Sequence, residues 1–130
     1  MGRSRTAAEG KARHSEAAIA LRELVEKSLA EGKAQEIVAI DLVGKSTMAD
    51  FMVVASGGSQ RQINALTDRL RVALKKGPGA KPTIEGEETC DWVLIDAGDV
   101  IVHLFRPEVR TFYNIEKMWT VDLPPEQLAV

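Results

Sequence analysis

The stretch DWVLIDAGDVIVHLFRPEVRTFYNIEKMW, Asp91 to Trp119, decides the fold. Two apolar runs, Trp92 to Ile95 and Val100 to Phe105, flank the turn signal Asp96-Ala97-Gly98-Asp99, which predicts a β-hairpin. Pro107 suits the first turn of a helix, where a missing N–H is harmless, and Val109, Phe112, Tyr113, Ile115 and Trp119 follow at near-helical spacing. The expected order here is strand, turn, strand, helix.

A two-residue turn at Ala97-Gly98 would set Asp96 opposite Asp99, Leu94 opposite Ile101 and Trp92 opposite His103, all on one face. Val93, Ile95, Val100, Val102 and Leu104 would form the opposite, aliphatic face. An indole, an imidazole, a phenyl ring and two carboxylates are an odd set for packing alone. Trp92, Asp96, Asp99, His103 and Phe105 are therefore the candidate working surface.

The hairpin lies in an acidic segment. Pro82 to Phe105 contains no Lys or Arg but six carboxylates, Glu85, Glu87, Glu88, Asp91, Asp96 and Asp99, so the rest of a chain of net charge −2 carries +4. Such a field repels phosphate backbones and favours a basic partner, although acids in a solvated loop also serve solubility.

Upstream, Ser56-Gly57-Gly58-Ser59 leads into a helix in which Ser59 and Gln62 make a capping box. Its apolar stripe is Ile63, Leu66, Leu70, Ala73 and Leu74; Arg61, Arg69 and Arg71 lie off it, Lys75 and Lys76 suit its end, and Gly77-Pro78 stops it. Gly79 to Lys81 reads as loop, Thr83-Ile84 as a short strand, and Gly86 as a turn into the acidic segment. Before them, Glu36 to Leu42 reads as a strand covered on both sides or nearly so, and Phe51 to Ala55 as a second. A first helix opens at Ser15, carries Ala18, Leu21, Val25 and Leu29 on one face with Leu24 alongside, and closes at Gly32.

Residues 1–14 hold Arg3, Arg5, Lys11 and Arg13 with few apolar groups and are expected to be a flexible basic tail, native, presequence-like or added. Residues 15–120 form the domain. Pro124-Pro125 ends the final helix, so residues 121–130 read as a tail. The whole is an α/β single domain with one mixed sheet flanked by helices.

At 130 residues, 45% hydrophobic and 28% charged, the chain can bury a core without staples. The lone Cys90 excludes an intrachain disulfide and suits a reducing compartment. No apolar run approaches the roughly 20 residues that span a bilayer, so a cytoplasmic protein is expected, without membrane association.

No stretch assembles an active site. Gly44-Lys45-Ser46 resembles the end of a P-loop, but Ala39 stands where the motif needs its first glycine. Gly57-Gly58-Ser59 opens a helix as anion sites do, yet Arg69-Leu70-Arg71 follows where nucleotidyltransferase-like folds carry metal-binding acids. Cys90, His14 and His103 lack metal-ligand spacing. A nucleophilic set of Cys90, His103 and Asp99 is weakened by Asp91, whose charge disfavours the thiolate.

The hairpin from Asp91 to Phe105, Phe112-Tyr113, Glu116 to Trp119, the upstream Asp41 with Gly44-Lys45-Ser46 and Asp50, and Ser56-Gly57 with Arg61-Gln62 together resemble the ribosomal silencing factor family, also called RsfS or Iojap. The resemblance covers Ala18 to Thr120 and implies a nucleotidyltransferase-like topology without catalytic acids, often homodimeric. It implies a translational repressor, not an enzyme, that binds the large ribosomal subunit through ribosomal protein fourteen of that subunit and sterically blocks joining of the small subunit. The family's contact surface transfers to Trp92, Asp96, Asp99, His103 and Phe105. No cofactor, metal or small-molecule substrate is implied, and contact of Arg61 or Arg69 with rRNA is left open. The competing readings are a large-subunit assembly factor, as in organelles, and a nucleotidyltransferase-like or Cys/His enzyme.

Overall fold

The computed structural model describes residues 14–77, 81–115 and 117. Expectations for residues 1–13, for 78–80, for 116 and for 118–130, including Trp119 and Pro124-Pro125, lie outside them. The described elements are α1 (Glu16–Glu31), β1 (Gln35–Asp41), β2 (Phe51–Ser56), α2 (Gln60–Lys76), β3 (Thr83–Glu85), β4 (Trp92–Asp96), β5 (Val100–Phe105) and α3 (Pro107–Tyr113). This is the order that periodicity predicts.

Local chemistry fixes the helix ends. Ser15 Oγ accepts from Ala18 N at 3.0 Å to open α1, and Ala18, Leu21, Val25 and Leu29 are buried along its inner face. Gly32 closes it at φ −83°, while the left-handed step falls on Lys33 at φ +67°. Packing is close at 32, where an added Cβ would stand 2.6 Å from Leu66 Cδ2 of α2 and that side chain would have to shift. At α2, Ser59 Oγ accepts from Gln62 N, but Gln62 Oε1 reaches back to the N–H of Gly58 rather than that of Ser59.

The sheet runs β1-β2-β5-β4-β3, with β2 and β5 parallel and the other neighbours antiparallel. β2 and β5 are central, and each of their residues is buried. β1 corrects the expectation of cover on both sides: it is an edge strand in which only Ile40 is buried, with a register irregularity between Gln35 and Val38. An edge strand has a neighbour on one side only, so apolar residues such as Ile37 and Val38 end half-buried.

The hairpin register is also corrected. Trp92 pairs with Phe105, Leu94 with His103 and Asp96 with Ile101, around the two residues Gly98-Asp99, closed by Ala97 N–H donating to Val100 O at 2.9 Å. Asp99 is drawn out of the ladder because its carbonyl accepts from Asp50 N at 2.8 Å and Phe51 N at 3.1 Å, at the start of β2. The slip is two positions, and strand side chains alternate with period two, so both expected faces survive it.

Two cores result. α1 and α2 cover one sheet face over Val53, Val93, Ile95, Val102 and Leu104. On the other, Ile40, Leu42, Met52, Val54, Ile101 and Phe105 pack with Trp92, Leu94, Val109 and Ile115. α3 is interrupted after Tyr113, where Asn114 turns left-handed at φ +49° and donates to Arg110 O at 2.7 Å, while Ile115 and Lys117 are again helical.

Candidate functional site

β4 and β5 bring three of the five predicted working residues, Trp92, His103 and Phe105, together at two depths beneath α3, and leave Asp96 and Asp99 apart from them at the hairpin tip. Phe105 is fully buried and His103 is 6% exposed, while Trp92 lies half-buried above them. The indole centroid is 4.8 Å from Phe105 and 4.8 Å from Tyr113 of α3, and its Nε1–H donates to His103 Nδ1 at 3.0 Å. That bond leaves the imidazole proton on Nε2. Burial pushes the His103 pKa down to about 4, so the ring is a neutral acceptor at neutral pH. Above this stack, Tyr113 and Phe112 are exposed, Phe112 by 79%.

Asp96 and Asp99 stand exposed at the hairpin tip. Asp96 Oδ1 accepts from Gly98 N at 3.0 Å and so has a turn role as well as a charge. Asp96 and Asp99 do not face each other across the ladder, contrary to the expected pairing.

The acidic segment is partly neutralised from within. Arg71 of α2 pairs with Glu87, and Arg106 pairs with Asp91 at 3.0 Å. Glu85, Glu88, Asp96 and Asp99 have no basic partner among the described residues. Gln60 Nε2 also donates to Thr89 O at 2.8 Å, fixing the approach to the hairpin against α2.

The alternative chemistries are occupied or divided. At the start of α2, Gly57 N donates to Phe105 O, Gly58 N to Gln62 Oε1 and Gln62 N to Ser59 Oγ, so these N–H groups are satisfied internally. Cys90 sits in the core beneath the helices with its thiol donating to Glu87 O, and burial, with Glu87 and Asp91 adding, raises its pKa. His103 faces the opposite side of the sheet. Among the described residues there is no group of three His, Cys, Asp or Glu that could hold a metal ion, and no helix long and apolar enough to cross a membrane.

Several residues escaped the sequence reading. His14, expected to end the flexible tail, is held instead: Nε2 is 2.9 Å from Asp41 Oδ1, Nδ1 is 3.1 Å from Asp50 Oδ2, and its ring lies 4.0 Å from that of Phe51. Burial opposes its charge, but the two carboxylates outweigh burial and raise its pKa. Arg110 is buried and donates to Glu36 O and Ser56 Oγ, both at 2.8 Å, tying α3 to the edge of the sheet. Glu85 shares the Trp92 face, which the alternation Thr83, Ile84, Glu85 was enough to indicate.

The family described as ribosomal silencing factor during starvation matches residues 15–129. A ribosomal silencing factor of Zymomonas mobilis is 54% identical over 99 residues, 76% of this chain and 74% of its own length. Another, from Halalkalibacterium halodurans, is 39% identical over 109 residues, 83% of this chain and 92% of its own. A crystal structure of a Chromobacterium violaceum protein superposes with a TM-score of 0.75 at 36% identity, covering 82% of this chain and 88% of that one.

Proposed function

The chain belongs to the ribosomal silencing factor family, and from that premise we propose that this ribosome-associated regulator represses translation by steric occlusion. It binds the large ribosomal subunit through ribosomal protein fourteen of that subunit and denies the small subunit its docking surface. It acts in the cytoplasm as a binding module without catalysis, and forms a homodimer when free. The face used is the hairpin with α3: Trp92, Asp96 and Asp99 at the surface, with His103 and Phe105 supporting Trp92 from below.

The observation that carries this reading is the composition of that face. Exposed Phe112 and Tyr113 and half-buried Trp92 share one side of the sheet with Glu85 and Asp96, which have no basic partner among the described residues. Aromatic anchors beside unpaired charge of one sign are what a protein interface of opposite sign requires. The test is the double variant Asp96→Asn, Asp99→Asn, which keeps most of the turn chemistry and removes both charges. At low ionic strength it should associate with isolated large subunits several-fold more slowly, with a shallower salt dependence. Association as fast as wild type would remove the electrostatic part of the reading.

A further inference from the structure

Where β3 meets β4, Glu85, Gly86, Trp92 and Leu94 line an open cavity of about 270 Å³. The register explains how it arises. Glu85 pairs with Leu94 and Thr83 with Asp96, so Ile84 turns toward the helical core while Glu85 rises on the Trp92 face. Gly86 then reverses the chain at φ +89°, where an added Cβ would stand 2.2 Å from the carbonyl oxygen of Trp92. Only glycine allows that approach, and it leaves backbone as part of the cavity wall in place of a side chain.

The lining is chemically asymmetric. Trp92 and Leu94, both half-buried, offer an aromatic face and an aliphatic wall. Glu85 is exposed and has no basic partner among the described residues, unlike Glu87 and Asp91 in the same segment. We propose that this cavity is a socket for one lysine or arginine side chain of the protein partner. The cationic head pairs with the Glu85 carboxylate, and the aliphatic stem lies along Leu94 and the indole. An acidic side chain is repelled there, and an apolar one would strip water from Glu85 without replacing its hydrogen bonds. The identity of the partner rests on the proposed function; the chemistry of the socket does not.

Two arms test it separately. In the first, the isotopically labelled full chain is titrated with Nα-acetyl-arginine amide, following the Trp92 indole N–H resonance, assigned from its loss in Trp92→Phe. Wild type should show a saturable shift with an affinity on the order of millimolar, which Glu85→Gln abolishes and Nα-acetyl-glutamine amide does not produce. No shift, or the same shift in Glu85→Gln, overturns the socket. In the second, Glu85→Lys is compared with Glu88→Lys, an equal change of charge outside the cavity, in binding to isolated large subunits. Glu85→Lys should weaken binding by about tenfold or more and Glu88→Lys by less than about twofold; equal losses overturn the socket in favour of a diffuse field. Failure of wild type to bind large subunits would instead refute the proposed function, and the arginine titration would still decide the socket.

Discussion

The indole N–H of Trp92 is bonded to Nδ1 of His103 at 3.0 Å, joining a half-buried aromatic to a buried, neutral imidazole. Trp92 is thereby both a surface residue and the lid of the second core, and its replacement has two consequences. Trp92→Ala removes ring contacts with Phe105 and Tyr113 and leaves a buried acceptor unpaired, so it should cost about 3 kcal/mol of stability. Trp92→Phe keeps a ring and should cost only about 1–2 kcal/mol, mainly for the lost bond. Denaturant unfolding of the two variants checks this, and equal, negligible losses would mean that Trp92 is a purely surface residue.

The two histidines should titrate in opposite directions. His103, pushed from 6.5 to about 4 by burial, leaves stability intact above pH 6.5 and withdraws about 3 kcal/mol as pH falls from 6.5 to about 4, where only the unfolded chain is protonated. His14 has a raised folded value, so its contribution is complete below its unfolded pKa near 6.5 and is lost as pH rises through the folded one. Imidazole resonances followed by NMR should therefore show His14 titrating above 6.5 and His103 near 4. His14→Gln should leave the slope between pH 6.5 and about 4 unchanged, because the His14 contribution is already complete there, and should abolish the loss of stability that wild type shows as pH rises above 6.5.

Gly86→Ala is expected to be among the most damaging small substitutions in the chain. It adds a side chain at φ +89° and brings a Cβ to 2.2 Å from the Trp92 carbonyl, so backbone must move; we expect a loss of at least about 2 kcal/mol. Gly98→Ala, at φ +95° but with open space around it, should cost about 1 kcal/mol. Thermal melts of the pair separate conformational strain from steric collision.

Element order was legible because Leu66, Leu70 and Leu74, or Val38 and Ile40, announce their period locally. The hairpin faces were legible for the same reason. Its register was not, because the residue that displaces it, Asp99, answers to Asp50 and Phe51 in a distant strand. The depth of His103 and Phe105 was hidden in the same way, since it depends on packing across the sheet and beneath α3. His14 looked like tail because its partners, Asp41 and Asp50, come from a different part of the chain. The six acids could be counted in the sequence, whereas Arg71 reaching Glu87 from α2 could not.

Occlusion of the large subunit can be tested in a joining reaction. Isolated large subunits are saturated with the protein, small subunits are added, and the products are resolved by sedimentation. The protein should travel with free large subunits and not with small ones, and the peak of joined ribosomes should fall as the protein is added. Undiminished joining with the protein still bound to the large subunit would contradict occlusion.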